Sequence, residues 1–439
     1  MREGGSRALH WTLLVGFCLF VHFQGLGGRP LYHEEPRRAL VAREMIERGS
    51  WIVPTINGAP YLAKPPLFSW LIAGASLAQG GEVTEASARV VSSLSVLLAV
   101  LLVYGFAARF LDRRTGLLAG LITASTGLVV EKGWTAEIDM NFTLWVTGAM
   151  LLLYAAIYGE RRRLGAWLGA YAFLALAFLA KGPPCLLFFV PPLILLVFRR
   201  KTRERILAAG HVAGLVLFLL LVGAWLVPFL HRVGLGTLAE TMDREMVGRA
   251  APRSFWSWLG RALFNPVSFL SCLLPWTFLL LPALARAAGG KRREEADSPT
   301  TFLLLCAGLA VLLFSLPAGK ASRYLLPLVP LLALVEGAAC RRLLDGELPR
   351  RQAAFCRICL VVLCGALAAG SLAFLGLHLA GRLRIEGGAA LWILLPAGLG
   401  LGLAGAVHSA RGRVALGVAV LVLAPALYRA GYVAFRFPR

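Results

Sequence analysis

The chain has 439 residues, 58% of them hydrophobic and only 15% charged, with a mean hydropathy of +0.72. A soluble fold of this size cannot hide so much apolar surface, so the composition indicates an all-α, polytopic integral membrane protein. The formal net charge of +22 does not indicate nucleic acid, because the basic residues form short clusters between apolar runs rather than one patch or arm.

A membrane span needs about 20 apolar residues. The first is expected over residues 9–26. No small-x-small cleavage site ends it and many spans follow, so it reads as a retained helix rather than a signal peptide. Residues 27–85 form a large, mostly amphipathic loop with interfacial helices. Further spans are expected near 86–108, 116–130, 141–158, 165–180, 183–198, 207–230, 262–285, 300–316, 323–339, 354–377, 389–407 and 414–432. The expectation is about thirteen helices in a single transmembrane domain over 1–439. A second flexible outer loop is expected at 231–257. No internal repeat is visible, and no soluble C-terminal domain is expected.

Arg and Lys orient the chain. The clusters "RFLDRR" (109–114), "RRR" (161–163), "RRKTRER" (199–205), "KRREE" (291–295), "RR…PRR" (341–351) and "RGR" (411–413) all fall on one side if the N-terminus is there too. The positive-inside rule makes that side cytoplasmic and places the 27–85 loop outside. Eight cysteines are scattered, mostly within apolar runs. Cys356 and Cys359 form a lone CxxC with no second pair or His partner, so structural use is expected.

In the first loop, "LYHEEPRRALVAREM" sets Glu34 and Glu35 beside the membrane surface. Glu35 is expected to cap a helix with Pro36 at its first position, stopping at Gly49 in a left-handed cap. Ala39, Ala42, Met45 and Ile46 share one face, which lays this helix in the interface plane. Asn57-Gly58 signals a turn, and Trp51, Tyr61 and Trp70 suit the headgroup belt. Lys64 precedes two prolines, which favour extended backbone there. Two readings stand side by side: the acids complement a helix dipole and Lys64 snorkels, or these groups belong to a site.

More charge gathers on the same side. "EKGWTAEIDMNFTLW" carries Glu131, Glu137 and Asp139 at the outer end of a span. An ionisable residue at that depth is a functional candidate, with helix capping as the alternative for Asp139. The basic set is Lys64, Lys181, Lys320 and Arg323, with Tyr324 adjoining. Lys as a point charge and Arg as a fork suit a lipid phosphate, and snorkelling is the alternative that fits Lys181 best. No phosphate-cradling glycine loop, zinc-binding HExxH or nucleophile elbow is present.

The stretch "EEPRRALVAREMIERGSWIVPTINGAPYLAKPPLFSW" resembles the first outer loop of GT-C glycosyltransferases of the bacterial aminoarabinose-transferase and protein O-mannosyltransferase superfamily. The resemblance rests on Glu34-Glu35, Ala42-Arg43-Glu44-Met45, Gly49-Ser50-Trp51, Pro54, Asn57-Gly58, Pro60-Tyr61 and Lys64-Pro65-Pro66-Leu67. Weaker similarity continues at "EIDMNFTLW", "FLAKGPP", "LPWTFLLLP" and "SRYLLPLVP". The last three spans match only in hydropathy. The resemblance implies a GT-C helical bundle in the bacterial cytoplasmic membrane, its site on the periplasmic or external face. It also implies a polyprenyl-phosphate sugar donor and inversion at the anomeric carbon. Glu34 and Glu35 stand where the family's loop carboxylates stand, with Glu35 on its glutamate and Glu34 replacing the common Asp. Asp139 matches the second-loop acid. Lys64 matches the lysine that holds the lipid phosphate, and Lys320, Arg323 and Tyr324 match the late outer motif. Arg38 stands where the family usually has Tyr.

The expected mechanism is a single displacement. Glu35 or Glu34, with Asp139, activates the acceptor, while Lys64, Lys320, Arg323 and Tyr324 hold the departing phosphate. Arg37, Arg38, Glu137 and Lys181 are expected substrate-binding residues. The acceptor is a lipid, glycan or protein. No cofactor is required and no metal ligand is assigned, though the loop carboxylates are candidates for a divalent cation. A lipid-linked sugar transporter is the competing reading, but it calls for inverted repeats or paired broken helices, and neither is seen.

Overall fold

The computed structural model describes residues 2–160, 163–242, 254–289, 297–315, 322–380 and 389–434. The described chain is helical apart from one small hairpin. Helix α1 (Arg2–His22) is followed by the first loop, which holds α2 (Glu35–Arg48), a hairpin of Thr55–Ile56 with Ala59–Pro60, and α3 (Leu67–Leu77). The hairpin turns on Asn57 and Gly58, both left-handed at φ 53° and 78°, as an Asn-Gly two-residue turn requires.

The bundle continues with α4 (Glu85–Phe110), α5 (Arg113–Ser125), α6 (Gly127–Lys132), α7 (Ile138–Tyr158), α8 (Arg163–Lys181), α9 (Leu186–Val197) and α10 (Arg200–Ile206). It closes with α11 (Ala209–Val233), α12 (Leu235–Met242), α13 (Phe255–Cys272), α14 (Leu280–Ala288), α15 (Pro299–Ser315), α16 (Leu328–Leu344), α17 (Arg350–Leu379), α18 (Ala389–Ala410) and α19 (Val414–Ala434). Starts follow local chemistry. Thr84 and Ser87 form a reciprocal capping box at α4, and Asp112 accepts from the Thr115 N–H at 2.8 Å to open α5.

Among the described residues, seven helices are long and apolar enough to cross a membrane, or up to eight if the bent pair Leu263–Cys272 and Trp276–Ala288, at 106°, is one span. That is fewer than the expected count of about thirteen. The difference has a local cause. Several expected spans are short helices, such as Arg7–His22, Pro183–Val197 and Pro299–Ser315. The 116–130 span is split at Thr126 between α5 and α6, and α16 carries Glu336, Arg341 and Arg342. The expected 231–257 loop is partly helical as α12, and its residues 243–253 lie outside the described set.

Helix α7 sits at the centre: 83% of its most apolar window is buried, against 17% for α17 at the periphery. Small residues allow the close helix contacts. A Cβ on Gly337 of α16 would meet the Ala119 backbone nitrogen of α5 at 2.9 Å. Among the described residues, no cysteine is joined in a disulfide.

Candidate active site

Helix α2 begins at Glu35 with Glu34 as N-cap, one residue earlier than expected, and ends at Gly49 in the left-handed conformation (φ 66°). This one-residue step sends the two acids in different directions. Glu34 is partly exposed and pairs with Arg37 at 3.0 Å and Arg38 at 3.5 Å. Glu35 is fully buried. It accepts from Arg89 Nε at 2.8 Å and Nη2 at 2.9 Å, from the Ala136 N–H at 2.7 Å and from the Tyr32 N–H at 3.0 Å. Arg89, on α4, also donates to the carbonyls of Leu26, Arg29 and Pro30. Glu35 and Arg89 therefore tie the first loop, α4 and the second loop together.

The second loop runs from Lys132 to Ile138 and is fixed at several points. The Ser93 hydroxyl lies within hydrogen-bond reach of the Gly133 carbonyl (3.1 Å) and Ser92 donates to the Glu137 carbonyl (3.2 Å). Gly133 is required by crowding, since a Cβ there would lie 2.6 Å from His22 Nδ1. These ties set Glu137 and Asp139 at the mouth of α7. Lys132 pairs with Glu137 at 3.2 Å and with Glu131 at 3.0 Å. Burial pushes the Glu137 carboxyl above its ordinary range, and the Lys132 charge opposes that push without cancelling it. Lys181, at the end of α8, donates to Asp139 at 2.5 Å. Its ammonium also lies 4.7 Å from the Tyr324 ring centroid and 5.1 Å from that of Phe142.

A cavity of about 130 Å³ joins these groups. The first loop supplies Glu34, Arg37, Arg38, Tyr61 and Lys64; the second supplies Glu137 and Asp139. Lys181, Arg323 and Tyr324 complete it. Arg38 donates to the Tyr61 hydroxyl at 2.8 Å. Five cations line the cavity against three carboxylates, an excess that suits an anionic ligand such as a phosphate.

The structure thus brings together nine of the eleven residues singled out in the sequence. Glu35 lies outside the cavity, its carboxylate fully engaged in the Arg89 network. Lys320 lies outside the described residues. Arg89, Lys132 and Trp134 were not anticipated, and Tyr61, expected in the headgroup belt, lines the cavity instead. An arginine inside the apolar run of α4 was the available signal for Arg89. Nothing in the sequence paired it with Glu35. Among the described residues, no group of three His, Cys, Asp or Glu is arranged to hold a metal ion. Each cavity carboxylate has instead a Lys or Arg partner.

Fold and site together define a polytopic helical membrane protein with a charged cavity at one end of its helices. Residues 63–227 match the family of dolichyl-phosphate-mannose-protein mannosyltransferases. The chain is 32% identical over 362 residues to the undecaprenyl phosphate-alpha-4-amino-4-deoxy-L-arabinose arabinosyl transferase of Pseudomonas aeruginosa, covering 78% of this chain and 62% of that protein. It is 28% identical to the Aeromonas hydrophila enzyme of the same name, covering 88% and 74%. Its fold is similar to that of ArnT from Cupriavidus metallidurans, solved bound to undecaprenyl phosphate, with a TM-score of 0.74, 20% identity, and 96% of this chain and 77% of that one covered. The Archaeoglobus fulgidus oligosaccharyltransferase is a more distant likeness, with a TM-score of 0.53 and 13% identity over 94% of this chain and 56% of that one. The chain is similar over most of its length to ArnT-like glycosyltransferases of the GT-C type. It spans 62% of the length of the Pseudomonas relative.

Proposed function

We propose that this protein transfers a sugar from a polyprenyl-phosphate donor to a lipid, glycan or protein acceptor on the outer face of the bacterial cytoplasmic membrane. The observation that carries this reading is the cavity itself. Four separate segments bring Glu34, Lys64, Asp139, Lys181 and Arg323 to one wall set. The relatives' names supply the donor class: undecaprenyl phosphate carrying a pentosyl group, 4-amino-4-deoxy-L-arabinose.

The chemistry is a single displacement with inversion. An acceptor oxygen attacks the anomeric carbon, and the bond from that carbon to the phosphate oxygen breaks. The electron pair goes to the phosphate, which leaves with one more negative charge than it had in the donor. Lys64 and Arg323 line the cavity and are assigned to that developing charge, on which preorganised cations act most strongly. Asp139 and Glu34 orient the acceptor and take its proton when it is a hydroxyl. Glu35 holds the frame through Arg89. Arg37, Arg38, Glu137 and Tyr324 line the substrate's path, and Lys320 belongs to the same late outer motif. No cofactor enters this scheme. The loop carboxylates remain candidates for a divalent cation, which would compete with their Lys and Arg partners.

The finer topology belongs to this proposal. Each expected span coincides with a helix or a broken helix pair, so about thirteen crossings with a cytoplasmic N-terminus are consistent with the basic-loop phase. One transmembrane domain then covers the chain.

The test is transfer of radiolabelled sugar from a polyprenyl-phosphate donor by the purified protein. Lys64→Ala is expected to lower turnover by about 100-fold or more, and Asp139→Asn by a similar factor. Unchanged turnover in both, at normal expression, overturns the site assignment.

A further inference from the structure

Buried in the bundle beside the second loop is a cation that the proposed chemistry does not use. Arg429 lies on α19, the last helix, and is 1% exposed. A guanidinium at that depth is costly, and such residues are kept for a purpose. Its Nε donates to the Val21 carbonyl at 3.2 Å and its Nη2 to the Gln24 carbonyl at 2.8 Å. Its guanidinium carbon lies 4.4 Å from the ring centroid of Trp134. Arg89 approaches the same indole at 5.6 Å. Trp134 is therefore shared by two buried guanidiniums from opposite ends of the sequence, and desolvated cation–π contacts of this kind are strong.

Trp134 is the middle of the loop that aims the carboxylates. Gly133 packs on His22, Ala136 donates to Glu35, and Glu137 and Asp139 follow within five residues. We propose that Arg429 is a positioning residue: by stacking on Trp134 it sets the 132–137 backbone and so the direction of the Glu137 and Asp139 carboxylates. This gives the last helix, which lies outside the motifs that carry the resemblance, a part in the site. The consequence for catalysis rests on the transferase reading above, but the consequence for the loop does not.

Two readouts on the full-length purified protein separate those claims. The first is amide hydrogen exchange across 132–137 in Arg429→Gln, Arg429→Lys and Trp134→Leu. Exchange is expected to rise at least tenfold in Arg429→Gln and Trp134→Leu, and less in Arg429→Lys, which keeps the charge but loses the fork. Exchange at the wild-type level in folded Arg429→Gln overturns the proposal, whatever the substrate proves to be. The second readout is steady-state transfer. Arg429→Gln is expected to lower kcat by tenfold or more with donor KM within twofold, because the phosphate contacts of Lys64 and Arg323 are untouched. The double variant Arg429→Gln/Trp134→Leu is expected to be no slower than the worse single one. Multiplying effects, or a KM rise without a kcat fall, contradict positioning through Trp134. If Arg429→Gln fails to fold, Arg429→Lys and Trp134→Phe carry the same comparison. Wild-type protein without transferase activity but with the expected exchange pattern would refute the transferase reading and leave the loop assignment standing.

Discussion

Glu35→Gln is expected to loosen the cavity-bearing end of the bundle before it touches any chemistry. Both Glu35 and Arg89 are fully buried, with two contacts of 2.8 and 2.9 Å between them. Breaking such a pair from one side leaves a buried charge uncompensated and costs about 3–5 kcal/mol. The cost here should sit near the lower end, about 3 kcal/mol, because Gln retains an acceptor oxygen. Arg89 also keeps the carbonyls of Leu26, Arg29 and Pro30. Set against typical stabilities of about 5–15 kcal/mol, that is a large fraction. The double variant Glu35→Leu/Arg89→Met removes both charges and is expected to be less unstable than Arg89→Met alone. Thermal denaturation of the purified variants reads the first effect, and transfer assayed below each variant's unfolding temperature reads the second. A Glu35→Gln protein with wild-type denaturation and no turnover would refute the framework role and return Glu35 to the reacting groups.

Three further outcomes are expected. Lys181→Met removes the 2.5 Å partner of Asp139 and should cut kcat more than it raises donor KM, as steady-state kinetics would show; a pure KM effect would place Lys181 on the donor phosphate instead. Gly133→Ala forces a Cβ to within 2.6 Å of His22 Nδ1 and of the Val129 carbonyl, and such overpacking costs about 1–3 kcal/mol. A wild-type melting temperature would show that the loop has room to move. Glu44, held by the Thr55 hydroxyl, has its carboxyl below the ordinary range. A depressed carboxylate stabilises the fold above its unfolded-state pKa and loses that effect as pH falls through the folded one. Glu44→Gln should therefore lower the melting temperature at neutral pH, with the gap closing below about pH 4, and a gap that persists in acid would contradict the assignment.

What the residues revealed, and what they did not, divides along physical lines. The turn at Asn57-Gly58, the Gly49 stop and the helical face of α2 were legible because each depends on local backbone chemistry. The cavity was legible in membership because charge beside a bilayer is scarce and stood out on one side of the topology. The roles of Glu34 and Glu35 were not. A helix turns about 100° per residue, so neighbouring positions at its start face different ways, and a one-residue shift decided which acid faced the cavity. Arg89 and Arg429 find Glu35 and Trp134 across long sequence separations, and no local pattern encodes such pairings. Fewer helices than expected are long and apolar enough to cross a membrane because some break, as at Thr126, or carry charge, as in α16.

The central claim is that the sugar changes partners at this cavity rather than crossing the membrane on its carrier. It is tested most directly by following both products in proteoliposomes loaded with a polyprenyl-phosphate sugar and an acceptor. The account predicts that free polyprenyl phosphate appears one for one with glycosylated acceptor, and that Lys64→Ala suppresses both. Movement of the intact sugar-lipid between leaflets, with no free polyprenyl phosphate formed, would contradict it.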